Sequence, residues 1–209
     1  AEVTERPLER EQAAGMYRET EGVPLFVVES MRAGLTAAAL PPQVEAVLAA
    51  RLAQLSPPAR DLAGVAAVIG RAFRVDVLAK ASNVGEEALV RGLDEMWRRR
   101  IVREQGVDSY DFSHARLRDV AYAGLSAAHR RWLHRRVAEA LETLQAGDLD
   151  STSGQLAIHY DKAGLAGQAI RYYQRAAVVA QRVYANTEAM AYLSRALELT
   201  PETDHAGRC

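Results

Sequence analysis

Apolar positions fall at helical spacing over most of the chain and switch to alternation at a single place. From Val44 onward, Val47, Leu48, Leu52 and Leu55 keep a helical period. Ser56-Pro57 then supplies a cap followed by a first-turn proline, which predicts a helix through Leu62, Val65, Ala66 and Ile69, closed by Gly70. A short helix around Val75–Ala81 follows, then a longer one with Leu89, Leu93, Met96 and Trp97 on one stripe. Near residue 101 the period drops to two. Ile101-Val102-Arg103-Glu104, a Gly106-Val107-Asp108 turn and Tyr110-Asp111-Phe112 predict the chain's one β-hairpin. Several helices leading into a hairpin is the order of a winged helix.

The flanking segments are helical by the same criterion. Residues 7–20 suit a polar helix that stops at Gly22, and Pro24 opens another with Leu25, Phe26, Val28 and Met31 on its apolar face, ending at Gly34. Leu40-Pro41-Pro42 is predicted to be a linker. Beyond the hairpin, Leu117, Val120, Ala121 and Leu125 form one stripe, and Leu133, Val137, Leu141 and Leu144 another. After a Gly147-Asp148 turn, Leu156, Ala157, Tyr160, Ala169, Tyr173 and Ala176 match tetratricopeptide (TPR) spacing, with Ser153 where that pattern begins with tryptophan. Residues 169–176 resemble residues 189–196 at an offset of 20, while an offset of 34 relates Leu156 to Met190 and Ala157 to Ala191. The two offsets leave open which helix pairs with which; both imply an unfinished solenoid. Pro201 ends its last helix.

Composition narrows the picture. The chain has 209 residues, 49% hydrophobic and 25% charged, which is globular rather than disordered. Twenty-six basic against 27 acidic residues leave a formal charge of −1, unlike a protein that grips nucleic acid over its whole surface. Cys209 alone supports neither an internal disulfide nor a cysteine zinc site. There is no apolar run near 18 residues and no signal-peptide pattern, so a cytoplasmic location without a membrane span is expected. Because Ala1 opens the chain in place of an initiator Met, it is expected to be part of a larger protein.

Several constellations invite a chemical reading. Arg98, Arg99, Arg100 and Arg103 close the helix that would enter a DNA groove, yet that helix begins Glu86-Glu87 and carries Asp94 and Glu95, which repel phosphate. A solvated or interdomain face is the favoured reading. The run His129-Arg130-Arg131-Trp132-Leu133-His134-Arg135-Arg136 is followed by Glu139 and Glu142, and reads as an outer helix face over Trp132. Its two histidines, five apart, do not make a metal pair. Asp111, Ser113 and His114 are too close in sequence to converge as a triad; Ser113 is expected to cap the next helix, with His114 in its first turn. His159 has no evident partner and is expected to be structural or solvent-facing.

Three stretches carry a family resemblance: Tyr17–Glu29, containing Gly22-Val23-Pro24-Leu25; Asp111–Tyr122; and Leu133–Leu141 running into the repeats. In this order they resemble the STAND class of signal-transduction ATPases, as in large bacterial transcriptional regulators of the LuxR and SARP types. The resemblance implies a mainly α fold: lid helices of an absent ATPase core over residues 1–38, a winged helix with one β-hairpin over 39–125, and the start of a TPR-like α-solenoid over 126–209. It makes Gly22 and Pro24 nucleotide-contacting residues, the flat proline ring lying near adenine. No Gly-x-x-x-x-Gly-Lys-Ser/Thr loop is present, so ATP or ADP is expected to be held only through the parent protein, and the chain is not expected to act as an enzyme by itself. The implied partners are the ATPase core of the same chain and a protein or small-molecule effector at the repeats, with DNA read by another domain. Repeat-bearing ATPases fused to nucleotide cyclases share these motifs. An interaction scaffold without nucleotide control, or a winged helix that binds DNA directly, are the alternatives.

Overall fold

The computed structural model describes residues 42–201. It is mainly helical, with nine helices among the described residues and one three-stranded antiparallel sheet. Gly22 and Pro24, the proposed lid helices and the Gly22–Leu25 corner lie outside those residues.

Helix α1 spans Pro42–Ala53, so Pro42 belongs to the helix rather than to the linker expected there. Proline is suited to a first helical turn, where its missing N–H has no partner to lose. Helix α2 (Pro57–Ile69) starts as predicted: Ser56 is its N-cap and accepts from the Ala59 N–H. Nine of its 13 residues are buried, which makes it the central helix of the first half. Strand β1 (Ala72–Arg74), helix α3 (Val75–Ser82) and helix α4 (Glu86–Arg98) follow, then strands β2 (Val102–Glu104) and β3 (Ser109–Phe112).

The hairpin is present, and β1 adds a third strand that the sequence reading missed. The sheet order is β1-β3-β2, with Phe73 opposite Tyr110 on one side of β3 and Val102 opposite Phe112 on the other. Helix, strand, two helices and a terminal hairpin together make a winged helix. Phe73 lies 6.0 Å from Phe112 and 6.2 Å from Tyr110 between ring centres, which fixes the sheet over the core.

Helix α4 docks on α2 through Leu89, Gly92, Leu93 and Met96. At Gly92 the approach is so close that a Cβ would stand 2.3 Å from Leu62 Cδ1. Gly92→Val is therefore expected to destabilise the fold by about 2 kcal/mol despite the helix propensity it gains, because the buried Leu62 would have to repack around the new side chain. A urea midpoint unchanged from the parent sequence would contradict this contact.

The end of α4 is held by an unusual turn. Arg100 adopts φ 54°, a left-handed conformation that normally favours glycine, while the Arg100 and Ile101 N–H groups return to the Trp97 and Met96 carbonyls. The Arg51 guanidinium from α1 donates to the carbonyls of Arg99 and Arg100, at 3.3 and 3.1 Å. Four carbonyls at this helix end thus find donors, which offsets the backbone strain.

Five helices complete the described chain: α5 (Ala115–Ala123), α6 (Ala127–Leu144), α7 (Leu149–Lys162), α8 (Ala166–Arg182) and α9 (Asn186–Leu199). Helix α8 packs against both α7 and α9. That arrangement explains the 20-residue offset. Gly164 and Tyr184 occupy the same left-handed position of equivalent turns, and Ala169, Tyr172 and Ala176 recur as Ala189, Tyr192 and Ala196 along the helix that follows each turn. One hydrophobic core runs without a break from Leu48 in α1 to Ala196 in α9.

Candidate functional site

Helix α6 is the element that joins the winged helix to the helical repeats. Ser126 caps it, its Oγ accepting from the His129 N–H at 3.2 Å. Its buried face (Leu133, His134, Val137, Ala138, Ala140, Leu141) meets α2 and α3 on one side and α7 on the other. Two arginines of α6 pin this junction through backbone carbonyls, and Arg118 of α5 braces the winged helix beneath it in the same way. Arg136 Nε donates to Ala81 O at the end of α3 (2.7 Å), Arg118 Nε to Ala67 O near the end of α2 (2.9 Å), and Arg130 Nε to Leu125 O just after α5 (3.0 Å). Carbonyls at helix C-termini lack intrahelical partners and carry the negative pole, so each contact satisfies an acceptor and a charge preference together.

At the centre lies a chain of hydrogen bonds through three helices. The Tyr122 hydroxyl of α5 sits 2.9 Å from His134 Nε2 of α6, and His134 Nδ1 sits 2.9 Å from His159 Nδ1 of α7. Both imidazoles are buried, at 2% and 4% exposure. Because two Nδ1 atoms face each other, one must carry the proton and the other accept it. Burial, reinforced by the cations Lys162, Arg118 and Arg130, lowers His134 to about 4. Burial and then the neighbouring His134 lower His159 to about 3. The pair is therefore neutral at pH 7 and acts as a polar rivet between winged helix and repeats.

A second polar node follows about two turns along α6. Glu142 of α6 accepts from the hydroxyls of Tyr160 (α7) and Tyr172 (α8), each at 2.5 Å, beneath rings stacked 5.6 Å apart. Burial opposes ionisation of Glu142, but the two hydroxyl donors outweigh it and hold the carboxyl below its usual range. Burial also raises both tyrosines, Tyr172 to about 12. Farther out, Asp161 accepts from Nε and Nη2 of Arg195 at 2.7 and 3.0 Å and from the Tyr173 hydroxyl at 3.1 Å, tying α9 back to α7.

The constellations singled out in the sequence resolve differently. His159 is not without a partner: the fold brings His134 to it across 25 residues. The charge run at the end of α4 is largely neutralised, with Arg98 on Asp94, Arg99 on Glu95, and Arg103 forked onto Asp111 at 2.7 and 2.9 Å. Asp111, Ser113 and His114 do not converge on one another. Asp111 is buried against Arg103 and Gln105, and the Ser113 N–H donates to Ile101 O at the end of the sheet. Ser113 is not the cap of α5. His114 occupies that position in an extended conformation, and no side chain caps the helix. In the second basic run, Arg136 stacks 5.1 Å over the half-exposed Trp132, and Arg135 pairs with Glu139.

Among the described residues no group of three or more His, Cys, Asp or Glu is arranged to hold a metal ion, and no helix is long and apolar enough to cross a membrane. No protein-family model matches the chain, and no solved structure does. The chain is 30% identical over 195 residues to an uncharacterized protein of Rhizobium meliloti (strain 1021). The match covers 85% of this chain and 19% of the relative, so the chain spans about a fifth of the length of the protein it resembles.

Proposed function

We propose that this chain is the control module of a STAND-type, ATP-dependent transcriptional regulator. It passes nucleotide state from an ATPase core to a TPR-like sensor, and effector state in the reverse direction. The observation that carries this reading is the continuity of packing at α6. The winged helix and the repeats share one core, riveted by the Tyr122–His134–His159 chain and by the Arg136–Ala81 contact from α6 to α3. A displacement of one part must then move the other, which is the physical requirement for coupling two binding events. The charge pattern favours this over direct DNA reading, because Arg98 and Arg99 at the end of α4 are turned onto that helix's own carboxylates and Arg103 of β2 onto Asp111 of β3. The relative's greater length is in keeping with a module inside a large protein.

The test uses the intact parent protein. Pro24→Ala is expected to weaken ADP retention about tenfold, and exchanging ADP for ATP is expected to change amide hydrogen exchange at residues 120–136. Unchanged ADP affinity together with unchanged exchange at the junction would remove the proposal.

A further inference from the structure

A cleft of about 710 Å³ opens between α1, α2, α5 and the start of α6, and none of Tyr122, His134 and His159 lines it. Its size lies within the few-hundred to ~1,000 Å³ range usual for small-molecule sites. The floor is apolar, formed by Leu52 of α1, Ala63 and Gly64 of α2, and Val120 and Leu125 at the end of α5. Gly64 is essential to that shape. A Cβ there would stand 3.1 Å from Leu125 Cδ2, so the bare backbone of α2 lets Leu125 lie flat across it.

The rim has a definite polarity. Arg60 stands there, but its guanidinium already donates to the carbonyls of Ala53 (2.6 Å) and Leu55 (2.9 Å), closing the end of α1. Glu45 and Asp61 are exposed, and neither has a hydrogen-bond or ion-pair partner among the described residues. Arg60 Nη2 is committed to those carbonyls, and the two open carboxylates outnumber the one guanidinium at the rim. An apolar slot with free carboxylates at its mouth complements an apolar body carrying a cationic head, and it repels the corresponding anion.

We propose that this cleft is a binding site for a small amphiphilic organic cation, its apolar body on Leu52, Gly64 and Leu125 and its ammonium between Glu45 and Asp61. Bound there, the ligand touches both ends of the winged helix, since α1 and α5 come from opposite ends of that unit and meet across α2.

Titration of the full 209-residue chain with n-decylammonium, followed by amide NMR, is expected to saturate with shifts confined to residues 45–64 and 120–129. Decanoate of equal chain length should bind about tenfold more weakly, and the Glu45→Gln/Asp61→Asn double variant should bring the two affinities together. Ala53→Trp, at an exposed lining position, should block both. Equal affinity of the two amphiphiles for the unaltered chain, shifts centred elsewhere, or no saturation would each overturn the proposal.

Discussion

Between pH 6.5 and about pH 5 the fold is expected to lose about 4 kcal/mol of stability, through two histidines alone. His134 and His159 titrate near 4 and 3 when folded, against 6.5 for a free imidazole. Their folded values are depressed, so the unfolded chain binds protons first as pH falls. The stability they confer is fully present above pH 6.5 and drains away as pH drops towards the folded values. By pH 5 each has given up about 2 kcal/mol, one and a half units at ~1.4 kcal/mol per unit. The window isolates them. Glu142, Asp161 and Asp150 are held below ordinary carboxylate values, so their stabilisation is lost only below about pH 4.5. Lys162, Arg118 and Arg130 are the cations that face the pair. Urea unfolding at half-unit steps of pH measures the slope. His134→Gln/His159→Gln should flatten it to less than about 1 kcal/mol over the same interval, and a flat profile in the unaltered chain would show that the imidazoles are not sequestered.

That rivet is the part of the site the sequence concealed. Each histidine lies on a helix whose period was legible, but their meeting depends on the crossing of α6 and α7, which no local pattern encodes. Strand β1 was hidden for a related reason. Ala72-Phe73-Arg74 is too short to display alternation, and it becomes a strand only because β3 offers it an edge. The misplacement of the α5 cap has a physical cause as well. Ser113 is a better capping residue than His114 by composition, but the bond from its N–H to Ile101 O draws it into the end of the sheet, so the helix starts one residue later. What the sequence did reveal is local chemistry. The Ser56-Pro57 start, the Gly106 hairpin turn (φ 85°) and the Ala/Tyr spacing of the repeats each follow from one or two residues whose backbone or size leaves few options.

Glu142→Ala is expected to cost about 3 kcal/mol and to loosen the repeats more than the winged helix. One carboxylate serves two tyrosine hydroxyls from different helices, and both rings are nearly buried, at 4% and 7% exposure. Removing it strands two donors at once; a donor deprived of a charged acceptor loses about 1.5 kcal/mol or more. Tyr160→Phe and Tyr172→Phe should each cost about 1–1.5 kcal/mol, since they delete one donor and leave Glu142 with the other. Glu142→Gln should fall between, its single carbonyl able to serve one hydroxyl well. The informative quantity is the cycle. With both tyrosines replaced by Phe, Glu142→Ala should cost less than about 1 kcal/mol, so that most of the original loss is coupling rather than packing. Hydrogen exchange locates it: α7 and α8 amides should open while those of α2 stay protected. If the alanine variant matches the unaltered chain within about 0.5 kcal/mol, the two tyrosines do not depend on this carboxylate, and α6 grips the repeats without it.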